Sequence, residues 1–159
     1  MAIYMKFPDA KGNVTTKGFE GWIELYSVEY GVSRNIQMVA GKSSDRESGR
    51  PTLTSIKIMK TVDEASSILF QAATVGKAAD SVEIVVCATD DEMSPILKYV
   101  LTDVIVSSRS IQVTEHDAPM VSLSLSYTSI EETVIPRDSS NKSGSPVTSG
   151  YDLVTAQAK

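Results

Sequence analysis

The residues that could do chemistry are few and far apart in the chain. Gly41-Lys42-Ser43 ends like a phosphate-binding loop, in which backbone N–H groups cradle phosphate and a lysine reaches over it. The first glycine of that motif would have to stand at position 36, which is Ile36, and no helical pattern follows Ser43. The lysine therefore has no helix N-terminus behind it, and nucleotide binding is not expected. The one histidine, His116, sits between Glu115 and Asp117. One nitrogen and two adjacent carboxylates do not close a metal site, and a solvated turn before Pro119 is the simpler reading. Cys87 lies in the apolar run Val82 to Ala88, where a thiol behaves as a small hydrophobe with a raised pKa. Nothing around it resembles a nucleophile signature that would recruit His116 as base. Asp90-Asp91-Glu92 reads as a charged turn, with cation binding second. Trp22, Tyr26 and Tyr30 share strand parity, spaced roughly 13 Å apart at extended-chain rise, so they could form a platform for a sugar chain or pack a core. No catalytic residue, cofactor or metal ligand is assigned.

Elements that could position such groups are mostly strands. The 17 Val, 12 Ile and 13 Thr against 8 Leu favour side chains that are stiff at χ1 and pack on a pleated surface. Val121 to Thr128 alternates strictly, with Val121, Leu123, Leu125 and Tyr127 on one face and hydroxyls on the other. Val82, Ile84 and Val86 alternate likewise, as do Ile56 and Ile58. Trp22 to Tyr30 and Ile96 to Val113 are apolar on both faces, which predicts strands covered on both sides or bent partway. With Ile3 to Phe7 opening the chain and Leu153-Val154 closing it, about six or seven strands are predicted. Ala65, Ile68, Leu69, Ala72 and Ala73 follow helical spacing. Thr61 to Glu64 fits a capping box, with Asp63 as an alternative N-cap, and Gly76 a left-handed stop, so one helix is predicted at about residues 63–75. Two segments carry no period: Gly31 to Pro51 is expected to be a long polar loop (about 31–52) that touches a partner, and Pro136 to Gly150 a flexible run before a terminal strand.

Composition bounds the rest. A chain of 159 residues fits a single domain, here 1–159, large enough to bury a core without staples. Its single cysteine allows no internal disulfide. A net charge of −5 and the absence of a basic stripe argue against nucleic-acid binding. The longest apolar run, Ile84 to Ala88, is far short of a bilayer span, so no membrane insertion is expected. The opening Met-Ala-Ile-Tyr-Met-Lys-Phe lacks the pattern of a secretory signal peptide, and synthesis in a reducing cytosol is predicted.

The order of several segments resembles a non-enzymatic family. Met-Ala-Ile-Tyr-Met-Lys-Phe, then Lys17 to Ser27, Glu29 to Ser33, Asp63 to Ser67 opening the helix, Gly76-Lys77 closing it, the cysteine-bearing strand, Leu101 to Ser108 and Gly150 to Leu153 are similar to the haemolysin co-regulated (Hcp) proteins of bacterial type VI secretion systems. The likeness runs over nearly the whole chain, though Gly31 to Pro51 is charged where many members are glycine-rich. It implies a small β-barrel of two packed antiparallel sheets with one helix alongside. It further implies hexameric rings that stack into a tube ejected by a contractile sheath, with small effectors carried in the lumen. Implied partners are further copies of itself, a spike at the tube tip, sheath and baseplate proteins, and effectors. Such a protein would leave the cytoplasm for the extracellular space or a target cell. Two other readings stand beside it, a β-sandwich carbohydrate-binding module and a phage tail-tube protein.

Within that reading Lys42, Asp45, Arg46, Glu47 and Arg50 are candidates to reach a neighbouring subunit or ring. Ser33, Ser122, Ser124 and Ser126 are candidates to line a wet, weakly adhesive lumen.

Overall fold

The structure is a computed structural model and describes residues 1–38, 40–41 and 46–159, with the backbone alone at 38 and 46–48. The strands are β1 (Ala2–Lys6), β2 (Ile23–Leu25), β3 (Ser27–Glu29), β4 (Val32–Met38), β5 (Arg46–Leu53) and β6 (Ile56–Thr61). After helix α1 (Ala65–Val75) follow β7 (Ala79–Cys87), β8 (Pro95–Gln112), β9 (Met120–Ser126), β10 (Ser129–Val134), β11 (Val147–Asp152) and β12 (Gln157–Ala158).

Two antiparallel sheets pack face to face with the helix alongside, as expected. One runs β12-β11-β10-β8-β7-β1-β2, and the other is β3-β6-β9 joined to β8. The long strand β8 belongs to both: Leu97 to Thr102 lies between β7 and β10, and Ile105 to Gln112 pairs with β9. Between the halves Asp103 adopts a positive φ of 50°, tolerable for aspartate, and a register shift follows at Val106 to Ser108. The apolar residues on both faces of Ile96 to Val113 thus mark a strand that bends from one sheet into the other. The ladder is not one closed barrel. It passes from β2 to β3 through the chain at Tyr26, whose N–H donates to the Met59 carbonyl at 2.7 Å.

Alternation places Ile56 and Ile58 of β6, Val121, Leu123 and Leu125 of β9, and Val82 and Ile84 of β7 in one core, which Ala65 and Leu69 of α1 complete. A second, smaller cluster of Tyr4, Val14, Val85 and Cys87 lies against Phe19 and Trp22. These two cores account for the nearly continuous burial at the end of β7.

Four expectations are corrected. Twelve strands among the described residues replace the predicted six or seven. The expected loop at 31–52 contains a two-stranded hairpin, β4 paired with β5 from Val32↔Leu53 to Met38↔Arg46. Residues 32–37 are all exposed, so neither face leaves the apolar rhythm by which a strand is read from sequence. Leu153-Val154 is a turn, and the terminal strands are β11, which begins inside the expected polar run, and β12. The helix begins at Ala65, and Glu64 before it is helical without a side-chain cap. The capping box fails because Ser66 turns its hydroxyl back to accept the Asp63 N–H at 3.0 Å, while the Lys60 ammonium takes the Asp63 carboxylate at 2.7 Å. Gly76 does end the helix, with φ 74° and its N–H on the Ala72 carbonyl.

Candidate functional site

The groups that could do chemistry are not brought together. Cys87 pairs with Pro95 at the start of β8, whereas His116 lies exposed in the turn beyond its end at Gln112. Burial pushes the Cys87 thiol up, with the Asp90 charge adding to it. Among the described residues no three His, Cys, Asp or Glu side chains gather where they could hold a metal. Asp90 closes the turn after β7. Its carboxylate accepts the Ser94 N–H at 3.0 Å and pairs with the Arg137 guanidinium at 2.7 Å, and these contacts hold it near a pKa of about 2.

The sugar platform does not form. Trp22 precedes β2 and meets Phe19 edge to face at 5.1 Å, Tyr26 stands exposed at the break between β2 and β3, and Tyr30 packs on Tyr99. The Tyr30 hydroxyl donates to the Glu132 carboxylate, and burial first, then that contact, raises its pKa.

What the tertiary structure does assemble is a hydroxyl-rich face. On the side of the β3-β6-β9-β8 sheet away from the core, cross-strand register aligns Ser27, Met59, Ser122 and Ser110 in one row and Glu29, Lys57, Ser124 and Ser108 in the next. A groove of about 270 Å³ runs along it. Ser122 and Ser124 are therefore placed as expected on one face, and Ser126 lies at its end opposite Ile105. Ser33 does not join them and sits on the hairpin opposite Thr52. Ser27, Ser108, Ser110 and Lys57 were missed from sequence; Ser108 and Ser110 share the spacing of Ser122 and Ser124 and were legible only in that respect.

Among the described residues both flanks of this sheet lack a strand partner. Ile105 to Gln112 of β8 pair with β9 alone, and β3 pairs with β6 alone. The β4–β5 hairpin forms a separate two-stranded sheet with Val32, Ile36 and Arg50 exposed. Lys42 and Asp45 lie outside the described residues, as do the side chains of Arg46 and Glu47. The base of the hairpin is firmly tied. Gly31 N–H donates to Thr54 Oγ1 at 2.8 Å, Thr54 N–H to the Gly31 carbonyl at 2.9 Å, and the Tyr127 hydroxyl to the Thr54 carbonyl at 2.8 Å.

Residues 4–134 match the model of the family described as type VI secretion system effector, Hcp. The chain belongs to the Hcp family. As an Hcp protein it is a tube and effector protein of type VI secretion, a structural and secreted class. Solved structures share the Hcp fold over nearly the full length. A structure of a type six secretion system protein is 24% identical, with 99% of each chain covered and a TM-score of 0.93. Hcp1 from Salmonella typhimurium is 22% identical, with 99% of this chain and 98% of that one covered at 0.80. A type VI secretion system effector from Yersinia pestis is 16% identical, with 94% and 98% covered at 0.76. No curated protein matches this Hcp chain in sequence.

Proposed function

We propose that six copies of this Hcp chain close into a ring whose inner wall is the hydroxyl-rich face, and that rings stack into a tube able to carry small effector proteins. The observation that carries this reading is the combination of two unpaired edges, β3 and residues 105–112 of β8, on the same four-stranded sheet that presents the serines. An exposed edge offers free N–H and C=O groups to another chain. Joining one kind of edge to a different kind on the next copy is a heterologous contact, which closes into a ring when the rotation permits. A wall of short hydroxyls then stays hydrated and holds cargo weakly.

The exposed hairpin, carrying Arg46, Glu47 and Arg50 with Lys42 and Asp45 in its connection, reaches a neighbouring copy. An isolated two-stranded hairpin has little stability of its own in water, so a partner surface is the natural complement. Sheath, baseplate and spike proteins contact the tube from outside and at its tip, and export follows ejection of the tube, without insertion into a membrane.

The test is light scattering on the purified protein with negative-stain images of the same peak. Six chains of 17.1 kDa make about 103 kDa, with an open centre in the images. A single species near 17 kDa at high concentration would overturn the ring.

A further inference from the structure

Strand directions decide how two copies can share the unpaired edges. β3, β6, β9 and residues 105–112 of β8 are each antiparallel to the next, so β3 and β8 run in opposite senses. Rotating a second copy about one axis therefore lays its β3 antiparallel to β8 of the first, the pairing already used throughout the sheet. Only a shift by an even number of residues keeps the serines on one continuous face, because an odd shift reverses every side chain.

That arrangement sets what meets on the other face of the seam. On β8, Arg109 and Ile111 stand opposite the buried Leu123 and Val121, yet at this edge Ile111 remains exposed. The Arg109 guanidinium lies 5.2 Å from the centre of the Phe70 ring of α1, and Phe70 is 54% accessible. Arg109 makes no ion pair among the described residues, and its Nε is buried without a hydrogen-bond partner. Helix and strand edge together thus present an apolar patch around an uncompensated cation.

The edge at β3 carries the complement. Tyr26 directly precedes that strand and is 74% accessible, the most exposed aromatic side chain among the described residues. Glu24, two residues earlier, is also exposed and makes no ion pair among the described residues. An aromatic ring and a carboxylate are the two groups that attract a guanidinium most strongly at short range.

We propose that Tyr26 of one copy seats against Phe70, Arg109 and Ile111 of the next, with Glu24 facing Arg109, so that α1 takes part in the joint between neighbours. The inference rests on the ring reading above and names the side chains that hold one copy to the next behind the β3–β8 seam. The contact is heterologous, since each copy gives one Tyr26 and offers one seat.

Glu24→Cys and Ile111→Cys, combined in one chain, keep Tyr26, Phe70 and Arg109 in place, and the native Cys87 is buried. A short, flexible bismaleimide added to assembled protein is expected to give a ladder that ends at six chains on a denaturing gel. The parent and either single variant are expected to run as single chains. From particles that light scattering shows to be intact rings, no ladder, or one running beyond six chains, would overturn the seat and leave the ring standing. Tyr26→Ala and Phe70→Ala, without the cysteines, are each expected to raise the concentration at which rings dissociate on dilution by about tenfold, with the urea midpoint of the single chain unchanged. Rings as resistant to dilution as the parent's would overturn the seat whatever the cysteine variant does. Parent protein that scatters only as single chains would overturn ring and seat together.

Discussion

Lys60 occupies an inward position of β6, two residues beyond Ile58, where alternation calls for an apolar side chain. It is fully buried, and its ammonium spends all three protons, on the Thr61 carbonyl at 2.7 Å, Asp63 Oδ1 at 2.7 Å and Ser66 Oγ at 3.0 Å. These contacts tie the end of β6 to the turn that opens α1. Lys60→Met leaves the Asp63 carboxylate, 5% accessible, without its counter-ion, and is expected to cost about 3–5 kcal/mol in urea unfolding. Adding Asp63→Leu should recover part of that loss, since removing both charges leaves no buried ion behind; a single variant as stable as the parent would refute the role. Asp90 gives a pH signature. Its carboxyl falls from the ordinary 3.8 to about 2 because the Ser94 N–H and the Arg137 guanidinium favour the charged form. The folded state therefore gains stability from it above 3.8 and loses that gain as pH falls towards 2. Urea midpoints followed through that window should decline in the parent and decline less in Asp90→Asn. Equal slopes would show that the contact with Arg137 does not survive in solution.

At the scale of elements, the segment between β1 and β2 is held by a close approach of backbone to backbone. Gly12 donates to the Gly21 carbonyl at 2.9 Å, and a Cβ at Gly12 would stand 2.2 Å from the Trp22 oxygen and 2.7 Å from the Ile23 Cα. Only glycine fits there. Gly12→Ala must push this segment off the small core around Cys87, at an expected cost of about 1–3 kcal/mol. Trp22 is the sole tryptophan, so a red shift of its emission reports the displacement directly. Unchanged emission with unchanged stability would mean that the segment is not packed as described. The hairpin illustrates the opposite case. Among the described residues its first strand is exposed on both faces from 32 to 37 and only Leu53 at the base of the second packs on the core, and backbone pairing between two polar strands requires no apolar rhythm.

For the whole molecule, the serine face is the feature on which cargo depends in the proposed ring. Ser124 is half-buried at its centre, between Lys57 and Ser108. Ser124→Glu sets a carboxylate near Glu29 and is expected to lower recovery of a co-purified effector while the ring stays intact. The same charge introduced at Ser33, on the hairpin, should leave recovery unchanged. Equal recovery from both variants would remove this face as the lumen wall.

Local pattern along the chain specifies its β character, the strands with one dry face such as Val121 to Tyr127, the helix with its glycine stop, and the order of segments that resembles Hcp. Each of these is written locally, in a period of two or 3.6 residues or in a short run of residues. The remaining features come from long-range pairing. That Ser108 and Ser110 lie beside Ser124 and Ser122, that β8 bends at Asp103 and leaves one edge unpaired, that a lysine points inward at position 60 and that 32–53 pairs with itself all depend on register between segments distant in sequence. Register is a property of two strands at once, and a shift of one residue reverses every side chain, so no single window of the sequence contains it.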